Sequence, residues 1–128
     1  MANADTRRIR FVDLREVEIY NIVENGDSLS ISFMNGDMEL LKATFQDSEN
    51  CTVLQYYIGY DLFKAYNDFA VYVSIKEDAN VLISMDETVV DNSTPSGYAE
   101  VRANIQTVTI RKRTTDERLR ILEKAMGV

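Results

Sequence analysis

The sequence predicts an α+β fold in which antiparallel β-hairpins form one or two sheets and a short helix follows them. Three observations predict it: apolar and polar residues alternate in several segments, Asn-Gly pairs separate the first of these segments, and the last fifteen residues change to a helical period. At 128 residues, the chain is expected to form one domain. A β-rich body with a basic N-terminal arm spans residues 1–113, and an amphipathic helix spans residues 114–128.

The first segments predict a three-stranded meander. Residues 17–23 alternate loosely and lead to residues 25–27, whose Asn-Gly pair accepts the positive φ that tight hairpin turns need. Residues 28–33 (SLSISF) then alternate strictly, as in a strand with one face in the core and one face in water. A second Asn-Gly turn at residues 35–37 leads into residues 38–45 (MELLKATF), the predicted third strand.

The next segment predicts a small helical insertion at about residues 47–66. Apolar residues at 53, 54, 57 and 58 have the spacing of one helix face, and Asp47 or Ser48 could cap it. The same residues are good strand formers. Residues 51–58 are therefore either helix or strand, and the spacing favours helix or an irregular turn.

The second half of the body predicts another hairpin and a long strand. Residues 70–76 and 81–85 alternate on either side of a turn at residues 77–80. The polar stretch at residues 91–97 contains the single proline and reads as a loop. Residues 98–113 form a long strand whose phase slips near residues 107–108, where a bulge is expected.

The C-terminal segment carries the signals of a specified helix. Thr114 and Glu117 have capping-box spacing, and the acidic first turn suits the helix dipole. Leu119, Leu122 and Met126 recur at i, i+3 and i+7 and form an apolar stripe. A helix this short is marginal in water. Either the chain's own sheet or another copy is expected to cover the stripe.

The composition excludes most catalytic chemistry. The chain has no histidine and one cysteine, Cys51, so it lacks the commonest general base and any multi-thiolate metal site. The five glycines are isolated and form no phosphate-binding loop. Cys51 would lack a histidine partner, and we expect it to be a buried or incidental thiol rather than a nucleophile. We therefore expect no enzyme activity, cofactor or metal.

The net charge of −7 hides a segregation of charge along the chain. Residues 16–101 hold 16 acids and three lysines, whereas the two ends hold 11 Lys or Arg and five acids. The ends either neutralise the middle of their own chain or meet an acidic face of a neighbour. The acidic total disfavours nucleic acid as a direct partner. The candidate protein-contact residues are the helix stripe Leu119, Leu122 and Met126 with the basic residues Arg7, Arg8, Arg10, Arg111, Lys112 and Arg113.

A hairpin-rich body is followed by a final segment that reads NIQTVTIRKRTTDERLRILEKAMGV. In this order of elements, and in the stretch MELLKATFQDSENCTVL, the chain resembles small proteins of the tail and baseplate modules of tailed phages and prophages of Gram-positive bacteria. The resemblance implies a non-enzymatic particle component that contacts itself, as a homo-oligomer, and other particle proteins.

We expect such a protein in the virion or the bacterial host cytoplasm, because the N-terminal residues have no signal-peptide pattern and no stretch is long enough to span a membrane. The alternative is a protein-binding inhibitor, for example a phage-encoded anti-defence protein whose acidic surface mimics nucleic acid.

Overall fold

A computed structural model describes residues 6–127, which form two four-stranded antiparallel sheets and two α-helices, as the α+β class predicts. The elements in chain order are β1 (Arg7–Arg10), β2 (Glu16–Glu18), β3 (Asn21–Asn25), β4 (Ser28–Met34), α1 (Met38–Gln46), β5 (Val53–Ile58), β6 (Asp61–Asn67), β7 (Val71–Val90), β8 (Tyr98–Arg111) and α2 (Thr115–Ala125). The strand orders are β2-β1-β5-β6 and β3-β4-β8-β7. Residues 1–5 of the predicted N-terminal arm and residue 128 lie outside the described residues.

One hydrophobic core joins both sheets to α1. Ile9 of β1 and Leu54 of β5 come from the first sheet, and Ile31 of β4 and Val108 of β8 come from the second. Phe45 of α1 is fully buried among them and packs edge-on against Phe11 and tilted against Phe33, with ring centroids 5.5 and 5.8 Å away. The sheets therefore share a core that α1 helps to fill.

The predicted first hairpin is confirmed. β3 and β4 pair in register across the turn, where Gly26 has a φ of +61°. Leu29, Ile31 and Phe33 are buried while the serines between them are half-buried. The strand predicted at residues 17–23 is instead divided, because the chain crosses from the first sheet to the second at residues 19–20.

The prediction of a third meander strand at residues 38–45 is wrong, because these residues form α1. The carboxylate of Asp37 accepts hydrogen bonds from the Glu39 and Leu40 amides and caps the helix. Leu41 and Phe45, four residues apart, face the core. The second Asn-Gly pair makes no hairpin, because the Gly36 amide donates to the buried Gln106 side chain at 2.7 Å and a Cβ at Gly36 would lie about 3 Å from it.

The prediction of a helical insertion at residues 47–66 is also wrong, because the α-helix of this region is α1, which ends at Gln46. Within that range only a 3₁₀ turn at Glu49–Cys51 is helical, and β5 and β6 follow it. β5 pairs with β1 on one side and β6 on the other. Because β5 forms hydrogen bonds with a strand on each side, residues 53–58 are a strand despite their helix-like spacing of apolar residues.

The turn predicted at residues 77–80 is a bulge inside one continuous strand. β7 has 20 residues against 14 in β8, and four register shifts in their pairing accommodate the difference. At one shift Asn80 has a φ of +55°, and its amide donates to the Asn104 side chain at 3.0 Å. In β8 the alternation of buried and exposed side chains shifts by one residue at residues 105–106, just before the shift predicted at residues 107–108. Residues 91–97 form the predicted loop.

The shared core predicts a steep cost for truncating Phe45. We expect Phe45→Ala to lower the free energy of unfolding by about 3–5 kcal/mol, because the substitution leaves a cavity between α1 and both sheets. Leu40→Ala on the exposed side of the same helix should cost less than about 1 kcal/mol. Urea unfolding followed by circular dichroism measures both. Equal costs for the two variants would contradict this account of the core.

Candidate protein-contact surfaces

The C-terminal helix begins with the predicted capping box. The Thr114 hydroxyl accepts from the Glu117 amide at 3.1 Å, and the Glu117 carboxylate accepts from the Thr114 amide at 2.9 Å. Lys124 lies in the last turn, and Gly127 ends the helix with a φ of +74°. Local sequence therefore specifies α2 at both ends.

Ion pairs tie α2 to the body. Arg118 binds the carboxylate of Asp68 at 2.7 Å, and Arg113 lies 3.7 Å from the same group. Arg111, at the end of β8, binds Glu117 at 2.7 Å. These contacts fix the direction of the helix through charge, since no side chain of α2 is buried.

The apolar stripe of α2 is not covered by the body. Leu119, Leu122 and Met126 are 51, 55 and 68% exposed. The face toward the body is formed instead by Ile121 and Ala125, which line a cavity of about 410 Å³ beside the 3₁₀ turn. The chain thus holds the helix in place while leaving its predicted stripe in water.

The basic residues near the N-terminus are engaged within the chain. Arg7–Arg10 form β1, an inner strand of its sheet, and this part of the predicted arm is therefore not an arm. Arg8 and Arg10 both bind Glu16 and stack on the Tyr57 ring at 4.8 and 4.9 Å. Hydrogen bonds from Arg10 and then Arg8 hold the pKa of Glu16 below its usual range. Arg7 is exposed at the edge of a cavity of about 420 Å³.

The basic residues before α2 also contact groups of their own chain. Arg111 and Arg113 bind Glu117 and Asp68, and the Lys112 ammonium lies 5.1 Å from the centre of the Phe69 ring. The structure therefore brings Arg111 and Arg113 to the base of α2 and leaves Arg8 and Arg10 with β2 and β5.

Sequence reasoning missed a second candidate surface, the far end of the β7–β8 hairpin. β8 pairs with β4 only as far as Ile105, so residues 79–103 extend beyond the sheet as a two-stranded ribbon, here called the β arm. Two hydrogen bonds lie at its base: the Asn104 side-chain oxygen accepts from the Asn80 amide at 3.0 Å, and the Asn35 side-chain oxygen accepts from the Asn104 amide at 2.9 Å. The available signal was the absence of glycine and proline between residues 71 and 90.

The β arm is both apolar and acidic. Its charged residues are four carboxylates and one arginine, namely Asp86, Glu87, Asp91, Glu100 and Arg102. Arg102 binds Glu100 at 2.8 Å. Its exposed apolar side chains are Leu82, Met85, Val89, Val90 and Val101.

The groups most often used in metal binding and nucleophilic chemistry can be located in the described residues. No group of three or more Cys, Asp or Glu side chains in residues 6–127 is placed to hold a metal ion. Cys51 is buried, as predicted, and burial first and the Asp47 charge second raise the pKa of its thiol to about 12. A thiol with that pKa is protonated at neutral pH and is a poor nucleophile.

The ionised Glu117 carboxylate should make the stability of the α2 attachment depend on pH. Its hydrogen bonds from Arg111, then from the Thr114 amide, lower its pKa from 4.5 to about 2. Because the folded-state pKa is depressed, the stabilisation is present above about pH 4.5 and is lost as the pH falls through about 2.

We expect the stability difference between the native chain and Glu117→Gln to be largest near neutral pH and to vanish near pH 2, as measured by urea unfolding. In Arg111→Gln, the Glu117 pKa, followed by carbon-detected NMR, should rise toward its ordinary value. An unchanged Glu117 titration in that variant would contradict the assignment of the ion pair.

No protein-family model, curated protein or solved structure matches the chain.

Proposed function

We propose that the chain is a non-enzymatic structural subunit that assembles through repeated protein–protein contacts. The observation that carries the proposal is the uncovered stripe Leu119, Leu122 and Met126 on a helix that is capped and tethered. Burying a side chain of this size contributes about 1.5–3 kcal/mol, so one docked stripe supplies useful binding energy. Repetition by symmetry turns such contacts into a stable assembly.

The assembly we propose is the tail or baseplate of a tailed phage. The support is the resemblance in element order, a hairpin-rich body followed by a short charged helix. Its partners are then further copies of itself and other particle proteins, in the virion or in the cytoplasm of the bacterial host. Neither helix in residues 6–127 has the length and apolar content needed to cross a bilayer. The protein should be found by mass spectrometry in purified particles at many copies.

A role without catalysis is supported by the chemistry of the side chains. The sequence has no histidine, and its single thiol is buried and protonated. The exposed Asp and Glu side chains with resolved pKa shifts all have lowered pKa values, as for Asp86 and Asp91, which accept hydrogen bonds from Thr88 and Ser93. A general acid at neutral pH needs the opposite shift.

The proposal predicts that the stripe is needed for assembly. We expect the native chain to be oligomeric in light scattering coupled to size exclusion, and Leu119→Ser combined with Leu122→Ser to lower the mass toward that of a monomer. The matched control is Leu40→Ser, which removes a similarly exposed leucine from α1. Circular dichroism checks that the sheets persist. A monomeric native chain at all concentrations would contradict self-assembly.

The acidic residues of the β arm and its base support a second candidate function, an inhibitor that mimics nucleic acid. Residues 77–101 contain six Asp or Glu and no Lys or Arg. A row of carboxylates on an extended ribbon can occupy a basic groove. This candidate predicts a monomer that forms a complex with a basic nucleic-acid-binding protein, and duplex DNA and Asp86→Asn with Glu87→Gln should each weaken that complex. A complex insensitive to both would exclude it.

A further inference from the structure

We propose that Asn25 is a site of spontaneous deamidation, and that the fold protects Asn35, although a glycine follows both asparagines. The inference is independent of the proposed function. It concerns a modification that the backbone of the chain itself carries out with water as the co-reactant. The structure gives the two glycine amides that would react very different surroundings, and this difference is the basis of the inference.

The reaction needs an asparagine followed by a backbone amide that is free to move. The Gly26 nitrogen attacks Cγ of Asn25, the Cγ–Nδ2 bond breaks, and ammonia leaves with the proton that the nitrogen has lost. The product is a succinimide ring. Water then opens the ring at Cγ to give aspartate, or at the main-chain carbonyl carbon to give isoaspartate. Glycine favours the attack because it has no Cβ and its backbone rotates easily.

Asn25 and Gly26 lie at the exposed tip of the β3–β4 hairpin. Among residues 6–127, the Gly26 amide and the Asn25 side chain have no hydrogen-bond partner. A Cβ built on Gly26 would meet no atom within 4 Å, so there is open space around the turn. β4 is the only neighbour of β3 in its sheet. Rotation at the tip therefore needs only the end of an edge strand to open, which is among the least costly local motions.

Asn35 and Gly36 are held by contacts with β8. The Asn35 amide donates to the Asn104 carbonyl at 2.8 Å, and the Asn35 side-chain oxygen accepts from the Asn104 amide at 2.9 Å. The Gly36 amide, which would be the nucleophile, donates to the fully buried Gln106 side chain at 2.7 Å. A Cβ built on Gly36 would lie 2.9 Å from the Leu41 side chain. The nucleophile is thus engaged, and its backbone has no room to rotate.

The structure also locates the effect of the modification. Isoaspartate at position 25 adds an atom to the main chain, so the register in which Asn25 pairs with Ser28 is lost. In the same turn the Asp27 carbonyl accepts from the Lys112 amide at 2.8 Å, just before α2 begins. Isoaspartate should therefore loosen the contact between this turn and the base of α2, whereas aspartate only adds a negative charge.

Ageing of the native chain at mildly alkaline pH tests the proposal. We expect deamidation at Asn25 to be faster than at Asn35 by about tenfold or more, because attack at Asn35 first requires several hydrogen bonds to break. Trypsin releases both asparagines in one peptide, residues 16–42. Fragmentation of this peptide in a mass spectrometer assigns the mass increase to one asparagine or the other. The matched control is Asn25→Gln, whose longer side chain closes the ring more slowly and should show no increase at position 25.

Unfolding separates the effect of the fold from that of the local sequence. In concentrated urea both Asn-Gly pairs lose their surroundings, and the two asparagines should react at similar rates. In the folded state Gln106→Met removes the acceptor of the Gly36 amide at similar side-chain volume. This variant should speed deamidation at Asn35 and leave Asn25 unchanged. If circular dichroism shows that the variant is unfolded, the comparison of native and urea-unfolded chain still decides the question.

Two outcomes would overturn the inference: equal rates at Asn25 and Asn35 in the folded chain, or an Asn25 that reacts only in urea. Hydrogen exchange at the Lys112 amide, followed by NMR, should be several-fold faster in the isoaspartate form than in the fresh chain. Unchanged exchange would contradict the link between the turn and α2. None of these readouts depends on the oligomeric state, so the proposed function and this inference can each fail without the other.

Discussion

The pairing of β8 is the constraint on which the rest of the structure depends. One half of the strand lies between β4 and β7 and buries Val108 and Ile110 in the core, whereas the other half pairs with β7 alone. The buried half anchors the strand, and the unsupported half projects as the β arm. Because α2 follows the anchored end, the same strand sets both the direction of the arm and the position of the helix.

Local signals in the sequence predicted the elements that depend on local interactions. The capping box at Thr114 and the hairpin turn at Gly26 each need a few neighbouring residues, and both form as predicted. The segment at residues 38–45 was misread because the second Asn-Gly pair imitates a hairpin turn. Its actual partner is Gln106, 70 residues away, whose side chain accepts from Gly36. The i, i+4 spacing of Leu41 and Phe45 was the helix signal available.

Among the candidate contact residues, too, those that depend on local spacing were predicted and those that depend on distant pairing were not. The stripe on α2 follows from helical spacing alone, and its residues do lie together on the surface. The pairing of Arg118 with Asp68 spans 50 residues, and no periodicity reveals it. The β arm was missed because its strand was divided by an expected turn at residues 77–80, where bulges continue the strand instead.

The way α2 is held bears on what it can do. Exposed ion pairs such as Arg118 to Asp68 contribute little, about 0–1 kcal/mol each, so they orient the helix more than they stabilise it. A three-turn helix with no buried side chain is then among the least stable parts of the chain. A partner that covers Leu119, Leu122 and Met126 binds the ordered helix and not the frayed one, so binding itself stabilises α2. Under the proposed assembly, incorporation into the particle therefore stabilises a helix that the single chain forms but holds weakly.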